Sequence, residues 1–426
     1  MCPTPCTDAQ YTQILREELV PAMGCTEPIA LAYAAALVRK TLGCTPEKVL
    51  VEASGSIIKN VKSVIVPNTG HLKGIAAAVC AGIIAGNADA QLQVLAAVPP
   101  EAVGDISAYL EKDPVRVDFL DSPLAFDLRI TAHAGEDSAC VRIANAHTNV
   151  VLLEKNGDRL IDTPVYGESE EGFTDRSGMS VQGIWDYVQR VNIDDISGIL
   201  TRQERCNMAI AEAGIAGDWG ANIGKVMLAA YGNDVRTRAK ALAAAGSDAR
   251  MNGCEMPVII NSGSGNQGIT CCVPVVTYAR EMQASRETTL RALALSNLIA
   301  IHIKTGIGRL SAFCGAVSAG AAAGAGIAYL HGATFQDVCH TVVNALGIVS
   351  GMICDGAKAS CAAKIASSVE AGVLGWEMYR QGQQFYSGDG IIAKGIEQNI
   401  RNIGRLGKDG MRETNLEILK MMLDIG

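Results

Sequence analysis

Three cysteines in the last third of the chain constrain its fold more than any other feature. They are Cys314, Cys354 and Cys361, in the segments AFCGAVSAG and GMICDGAKASC. Seven residues of α-helix advance about 10 Å, so Cys354 and Cys361 cannot share one uninterrupted helix and still bind the same small group. The Asp355-Gly356 step supplies a break. Cys354 is therefore predicted to end one element, and Cys361 to lie in the first turns of the next helix.

The third thiol, Cys314, is predicted to begin another helix after the turn at Gly306 and Gly308. Helix N-termini favour thiolates and other negative charge. Three thiols would leave one iron of a [4Fe-4S] cluster free to act as a Lewis acid, whereas a cluster held by four thiolates is generally an electron carrier. The pattern indicates non-redox iron–sulfur chemistry. Its alternative is three buried structural cysteines, because free cysteine packs as a small hydrophobic side chain.

A fourth cysteine, Cys25, lies far from the others in the segment VPAMGCTEP. Gly24 precedes it and Thr26-Glu27-Pro28 follows, which is typical of a helix start. Cys25 is a candidate for the base that removes a substrate proton, for a gate over an open iron, or for a fourth ligand. The sequence does not separate these roles. A capped turn that holds a buried cysteine is the structural alternative.

Two loops are candidates for substrate binding. The first, NSGSGNQG at residues 261–268, contributes Ser262, Ser264, Asn266 and Gln267. Its amides and side chains can present donors to a carboxylate, as anion-binding nests do. It lacks the Lys-Ser/Thr end of a P-loop, so a nucleotide site is not favoured. A plain surface turn is its alternative.

The second loop, VPNTGHLKG at residues 66–74, places Asn68, Thr69 and Gly70 ahead of a predicted helix. With Lys73 it can seat a carboxylate or an amino group. A structural strand-to-helix turn explains the same residues equally well.

These motifs resemble those of the L-cysteine desulfidase family, which is related to the α-chain of iron–sulfur L-serine dehydratases. The similarity includes VPAMGCTEPIALAYAAA, NSGSGNQG and CDGAKASC and runs through nearly the whole chain. The spacing of forty residues from Cys314 to Cys354, then seven to Cys361, is also the spacing of the family. The resemblance implies that these three cysteines ligate a [4Fe-4S] cluster and that Cys25 is the catalytic cysteine.

The resemblance implies a carbon–sulfur lyase that converts L-cysteine to sulfide, pyruvate and ammonia by non-redox β-elimination. Two alternatives stay open: an L-serine dehydratase-type lyase, and a non-catalytic iron–sulfur sensor or sulfur-trafficking protein. The family pattern offers no role for spare thiols such as Cys271 and Cys272.

Composition limits the partners of this chain of 426 residues. Its net charge is −8 and no block of Lys and Arg is present, which argues against nucleic acid and anionic membranes and favours a small-molecule ligand. The start of the chain lacks the pattern of a signal peptide, so a cytoplasmic protein with reduced thiols is expected. The sequence leaves open whether it forms a homo-oligomer.

Other common catalytic motifs are missing from the sequence. The six histidines show no zinc-site spacing and are predicted to be structural. Neither Lys304 nor Lys358 has the surroundings of a pyridoxal phosphate lysine, although Lys358 is placed to offset cluster charge. No GxSxG elbow and no dinucleotide fingerprint is present.

The predicted fold class is α+β, in three parts. N-terminal helices that carry Cys25 occupy residues 1–45, an α/β domain occupies 46–170, and an α-helical cluster-binding catalytic domain occupies 171–426. The predicted strands are KVLVEASGSI, SVIVP, LQVLAAV, VRVDFL, LRITAHA, CVRIANAH and NVVLLE, with one helix, GIAAAVCAGIIAG, among them. An acidic linker is predicted at 163–180. With 4% aromatic residues and abundant Gly and Ala, helices are expected to touch through small side chains.

Overall fold

The computed structural model describes residues 4–165 and 173–423. The first range holds helices around one mixed sheet and the second is almost entirely helical, which confirms the predicted α+β class. The elements of the first range are α1 (Asp8–Glu18), β1 (Pro21–Met23), α2 (Thr26–Leu42), β2 (Lys48–Ala53), α3 (Gly55–Val61), α4 (Gly74–Ala85), a 3-10 helix (Ala88–Gln93), α5 (Ala102–Leu110), β3 (Val115–Phe119), β4 (Asp127–Ala134), β5 (Asp137–Ala144), β6 (Val150–Lys155) and β7 (Asp158–Asp162).

The second range contains eleven further α-helices and one π-helical segment, with a single short strand among its described residues. In chain order they are α6 (Val181–Arg190), α7 (Ile193–Ala216), α8 (Ile223–Tyr231), α9 (Val235–Met251), β8 (Pro257–Ile259), α10 (Gly265–Glu281), α11 (Arg286–Ile307), α12 (Gly315–Leu330), α13 (Phe335–Val349), α14 (Ser360–Arg380), α15 (Ile396–Arg405), the π-helical segment (Leu406–Gly410) and α16 (Arg412–Leu423).

The main sheet has the strand order β3-β2-β4-β5-β6-β7. Strands β2 and β3 are parallel, with Val51 beside Val117, and the other neighbours are antiparallel. A parallel pair needs a long crossover, and α3, α4 and α5 lie in this one. Helix α2 packs on β4 and β5 and on α4. It thereby joins the segment that carries Cys25 to the sheet.

Two helices flank the Cys25 turn, as predicted. A capping box between Thr7 and Gln10 begins α1. Helix α2 starts directly after Cys25 and ends at Gly43, whose left-handed backbone is a common helix stop. Between the two helices, β1 pairs antiparallel with β8. This pairing ties the N-terminal segment to the helical region.

Two of the predicted strands are wrong. SVIVP contributes only an isolated bridge between Ile65 and Lys73, because the chain turns sharply at Asn68 and Gly70, where φ is 57° and 67°. LQVLAAV continues a 3-10 helix into turns, since the Asn87 side chain caps that helix and competes with extended pairing. The predicted strand KVLVEASGSI is too long: β2 ends at Ala53, and its last residues, from Gly55, begin helix α3. Helix α5 and strands β1, β7 and β8 are additions that the sequence did not predict.

The predicted linker at 163–180 includes residues 166–172, which lie outside the described residues. Its described end is packed against α1. Thr174 donates to the Glu17 carboxylate from its amide at 3.0 Å and from its hydroxyl at 2.8 Å. This end of the segment is therefore fixed to the N-terminal helix.

Close helix contacts through small residues are confirmed between α12 and α14. A Cβ atom added to Gly372 would lie 2.2 Å from the carbonyl oxygen of Gly320, and one added to Gly324 would lie 2.5 Å from that of Gly372. The two backbones touch at this crossing. Because Cys314 and Cys361 lie at the N-terminal ends of α12 and α14, the crossing also sets the distance between those two cysteines.

One helix among the described residues, α11, is long and apolar enough to cross a membrane by length and composition alone. In its most apolar window, 78% of the residues are buried inside the protein. It packs against α7, α10, α12 and α15.

We expect Gly372→Ala to destabilise the protein by about 1–3 kcal/mol, because the new methyl group would overlap the backbone of α12. Urea unfolding monitored by circular dichroism measures the change. Gly198→Ala is the matched control: this exposed helix glycine has open space around it, and alanine there should stabilise by roughly 0.5–1 kcal/mol. Equal stability of Gly372→Ala and wild type would contradict the tight crossing.

Candidate active site

Four thiols from distant parts of the chain line one cavity of about 110 Å³: Cys25, Cys314, Cys354 and Cys361. This cavity is smaller than an engineered cavity of roughly 150 Å³ that binds benzene, so its volume limits any ligand to a small molecule. The structure thus brings the N-terminal cysteine to the three late cysteines.

Two of the thiols are held side by side by backbone hydrogen bonds. The Cys314 amide donates to the Met352 carbonyl at 3.0 Å, and the Cys354 amide donates to the Ala312 carbonyl at 2.6 Å. Cys314 is the N-cap of α12 and Cys354 lies in the loop before α14. The two thiols also shift the pKa values of each other.

The third thiol, Cys361, is the second residue of α14. Its sulfur donates to the carbonyl of Gly356 at 3.6 Å, and Gly356 has a left-handed φ of 98°. The predicted break between Cys354 and Cys361 is confirmed at this glycine, as are the predicted helix starts at Cys314 and Cys361.

The Cys314 thiol, as a hydrogen-bond donor, lowers the pKa of Cys354 below its usual value. The positive charges of Lys59 and Lys304 act in the same direction, and burial acts against them. The same contact and burial raise the pKa of Cys314 well above its usual value. Of the two thiols, Cys354 therefore carries the negative charge.

Two buried lysines, Lys59 and Lys304, lie beside these thiols. The sequence did not indicate Lys59, and it gave Lys304 no role in the site. The Lys59 ammonium donates to the Cys354 carbonyl at 3.2 Å and to Asn415 Oδ1 at 2.7 Å. Burial lowers the pKa of Lys304 to about 8. Within the described ranges, neither lysine has an Asp or Glu partner at ion-pair distance. Lys358, expected to offset cluster charge, instead pairs with a neighbouring carboxylate.

The loop NSGSGNQG supplies Ser264, Asn266 and Gln267 to the cavity wall. Ser262 is not part of that wall. Its hydroxyl donates to Asn261 Oδ1 at 2.9 Å, so it stabilises the loop from behind.

The other predicted substrate loop does not line the cavity. The side chains of Asn68 and Thr69 each donate to a backbone carbonyl at 2.7 Å, and Gly70 is at the exposed tip. Pro67 of this loop lies against Gly24, where a Cβ atom would come within 2.7 Å of the proline ring. The loop therefore supports the turn before Cys25.

A buried carboxylate, Glu27, contacts Cys25 directly. The Cys25 thiol donates to Glu27 Oε2 at 3.1 Å, and Asn60 Nδ2 donates to Glu27 Oε1 at 2.9 Å. Burial and the Glu27 charge raise the pKa of Cys25 well above its usual value. Burial alone raises the pKa of Glu27, but His147 and the bonds from Cys25 and Asn60 outweigh it and hold the pKa below its usual value.

His147 lies in the loop between strands β5 and β6. From this loop of the sheet it acts on the charge of Glu27. It is buried against Phe126, with ring centroids 4.7 Å apart. Burial lowers the pKa of His147, and the charge of Glu27 acts against this effect. Sequence reasoning assigned all histidines structural roles because no spacing marked this one.

An ion triad of Glu18, Arg176 and Arg309 lies next to the cavity. Glu18 of α1 accepts from Arg176 at 2.5 Å and from the cavity-lining Arg309 at 2.7 Å. Burial alone raises the pKa of Glu18, but the charges of Arg309 and Arg176 outweigh it and hold the pKa below its usual value.

The donor set suits an iron–sulfur cluster. No group of three or more His, Cys, Asp or Glu side chains within the described residues lies close enough to hold a single metal ion. A cluster is larger, because its thiolates bind different irons. Three thiols around one cavity fit such a group. Two of these thiols, Cys314 and Cys361, lie at helix N-termini, and two buried lysines, Lys59 and Lys304, lie nearby.

The sequence profile of the serine dehydratase alpha chain matches residues 74–420. This protein belongs to that family. Similar chains include UPF0597 proteins of Desulfitobacterium hafniense strain Y51, 55% identical over 97% of this chain and 96% of the relative, and of Treponema denticola, 49% identical over 97% of each chain. Another, of Lachnoclostridium phytofermentans, is 46% identical over 96% of this chain and 98% of the relative.

Membership of the serine dehydratase alpha-chain family indicates a lyase-type enzyme and an association with iron–sulfur binding. It agrees with the family relationship expected from the motifs around Cys25 and the three late cysteines.

We expect Glu18→Gln to destabilise the protein at pH 7 by about 3–5 kcal/mol, because the half-buried Arg309 then loses its buried counter-ion and Arg176 loses its ion pair with Glu18. The lowered pKa of Glu18 means that its contribution is present above the ordinary carboxyl pKa of about 4.3 and is lost as the pH falls through the lower folded value.

Urea unfolding at pH 7 and at a series of values below pH 4.5 measures this loss. The difference between variant and wild type should shrink as the pH falls. Glu417→Gln breaks an exposed ion pair and should change stability by less than about 1 kcal/mol. A Glu18→Gln effect that stays constant with pH would show that the charge is not responsible.

Proposed function

We propose that this protein is an L-cysteine desulfidase that converts L-cysteine to sulfide, pyruvate and ammonia by [4Fe-4S]-dependent, non-redox β-elimination. The observation that carries the proposal is the convergence of Cys25, Cys314, Cys354 and Cys361 on one cavity of small-molecule size. Family membership and the buried lysines beside the three late thiols support it.

Cys314, Cys354 and Cys361 are the proposed cluster ligands. When bound, the cluster supplies Lewis-acid chemistry, because an iron without a protein thiolate can hold the negative charge of a leaving sulfur. Lys59 and Lys304 supply positive charge beside the thiolates and so offset the negative charge of the ligand set.

Cys25 and Glu27 are proposed to move the α-proton of the substrate. The thiol already donates to the ionised Glu27. The pKa directions keep the proton on Cys25 in the resting protein, so in the proposed step the Cys25 proton moves to Glu27 as the α-proton moves to the Cys25 sulfur, and the net result is one proton gained by Glu27. This pair is the base, and it removes the need for a free Cys25 thiolate in the resting protein.

The second candidate is an L-serine dehydratase-type lyase, which the name of the matching family favours. The same residues would then act on a hydroxyl leaving group. Iron–thiolate affinity favours cysteine, because sulfur is the softer ligand. A non-catalytic iron–sulfur sensor or sulfur-trafficking protein would have the thiols but no turnover.

Replacing Cys314, Cys354 or Cys361 with Ser should remove iron and activity together, since two thiolates hold a cluster poorly. Anaerobically purified wild type should contain about four irons per chain and show a broad visible absorbance that air bleaches. Iron analysis of the variants is the measurement, with the exposed Cys44→Ser as control. A variant that keeps its iron but loses activity would not be a ligand.

The reaction itself is tested by an anaerobic assay for sulfide and pyruvate with L-cysteine, and by comparing kcat/KM for L-cysteine and L-serine. Cys25→Ala should keep most of its iron and lose at least about 100-fold in sulfide release, because the α-proton loses its acceptor. Loss of iron in Cys25→Ala would make Cys25 a fourth ligand, and near-normal turnover would remove it from the mechanism. No turnover by iron-replete wild type would favour the sensor.

A further inference from the structure

Arg250 is a buried cation on the cavity wall without a counter-ion among the described residues. It is 3% exposed, and no Asp or Glu of residues 4–165 or 173–423 pairs with it. One guanidinium nitrogen, Nη1, donates to Asn266 Oδ1 at 3.1 Å, while Nε has no hydrogen-bond partner. Arg309, also on the wall, differs because Glu18 neutralises it.

A buried guanidinium that has no counter-ion and one unpaired N–H group favours the binding of an anion. An uncompensated buried charge costs several kcal/mol of folding free energy. The planar fork of arginine matches a carboxylate, which can accept two parallel hydrogen bonds from it. An anion of that shape in the cavity would offset the cost and satisfy the unpaired Nε.

Asn60 also lines the cavity, and it offers a hydrogen-bond acceptor where Arg250 offers donors. Its Nδ2 donates to Glu27, and an ionised carboxylate can only accept, so the orientation of the amide is fixed. The amide oxygen Oδ1 is buried and has no partner. This acceptor, beside the negative charge of Glu27, is suited to a cationic donor such as an ammonium group.

We propose that Arg250 and Asn60 form a receptor for the α-amino-acid group, with Arg250 binding the α-carboxylate and Asn60 Oδ1 binding the α-ammonium. The inference rests on the proposed function and extends it to the selection of substrate.

The receptor also places the reacting carbon. Cys25 lines the same cavity as the two groups: it hydrogen-bonds to Glu27, the partner of Asn60, and the charge of Arg250 acts on its thiol. Both receptor groups bind atoms attached to the α-carbon, so the proposal places that carbon near the Cys25 thiol. The substrate side chain is left to point toward Cys314, Cys354 and Cys361.

This assignment changes the role of Asn266. Its carbonyl oxygen is already used to hold Arg250, so Asn266 is a positioning residue for the guanidinium. The loop NSGSGNQG then acts on the carboxylate partly through Arg250.

The first experiment needs no substitution. Isothermal titration of the anaerobically purified protein compares L-alanine, which has both α-groups and no leaving group, with propionate and ethylamine. Because hydrogen bonds to charged groups contribute about 1.5–3 kcal/mol, each single-group ligand should bind about 10- to 100-fold more weakly than L-alanine. Equal affinities, or no binding of L-alanine, would overturn the receptor.

The second experiment uses Arg250→Gln. L-alanine affinity should fall about 10- to 100-fold, to that of ethylamine, and the affinity for ethylamine should not change. Arg250→Lys keeps the charge but not the fork and should restore part of the binding, which a purely structural role would not predict. Arg238→Gln, on the same helix and paired at the surface with Glu281, is the control and should bind as wild type does.

The two hypotheses fail separately. If wild type binds L-alanine through Arg250 but releases no sulfide from L-cysteine, the desulfidase reaction is wrong and the receptor stands. If wild type releases sulfide and Arg250→Gln binds L-alanine and turns over normally, the receptor is wrong and the reaction stands. In the expected case, Arg250→Gln also raises KM for L-cysteine at least about tenfold.

Discussion

Unpaired positive charge around one cavity is the constraint on which the site depends. Lys59, Lys304 and Arg250 are each less than 5% exposed, and none has a carboxylate partner among the residues that the structure describes. Burying such charges is unfavourable unless negative charge compensates them. The thiolate of Cys354 supplies part of that charge. A cluster and the substrate carboxylate are the proposed sources of the rest.

The charges fall into two groups within the cavity. Lys59 and Lys304 are close to the late cysteines, where their charges lower the pKa of Cys354. Arg250 is bound to the loop NSGSGNQG, and its charge acts on Cys25. The proposed cluster and the proposed substrate carboxylate would therefore each have their own cations. Cys25 and Glu27 complete the substrate end with a proton-transfer pair.

Packing outside the cavity keeps these groups in place. Backbone contact between α12 and α14 at Gly320 and Gly372 fixes the helix ends that carry two of the thiols. The β1–β8 pairing and the Glu18 triad hold the N-terminal segment against the helical region. Because these supports come from distant parts of the chain, the site exists only in the complete fold.

The amino-acid sequence alone determined the α+β class, the helix boundaries at Cys25, Cys314 and Cys361, and the break at Gly356. Those features depend on local patterns, namely hydrophobic periodicity and residues that favour turns, which a sequence displays directly. The family relationship also followed from these motifs. The two wrong strands, SVIVP and LQVLAAV, failed where local side-chain bonds and left-handed residues overrode their apolar composition.

Only the tertiary structure decided which charged and polar residues join the cysteines. Lys59, Asn60, Arg250 and His147 lie in ordinary-looking helices and loops, and no spacing sets them apart. They matter because they are buried polar or charged side chains with an uncompensated charge or an unpaired polar atom. The sequence cannot show this, because the environment of a side chain depends on residues far away in the sequence. For the same reason Asn68 and Thr69 resembled a substrate loop by composition, although their side chains bond to backbone carbonyls outside the cavity.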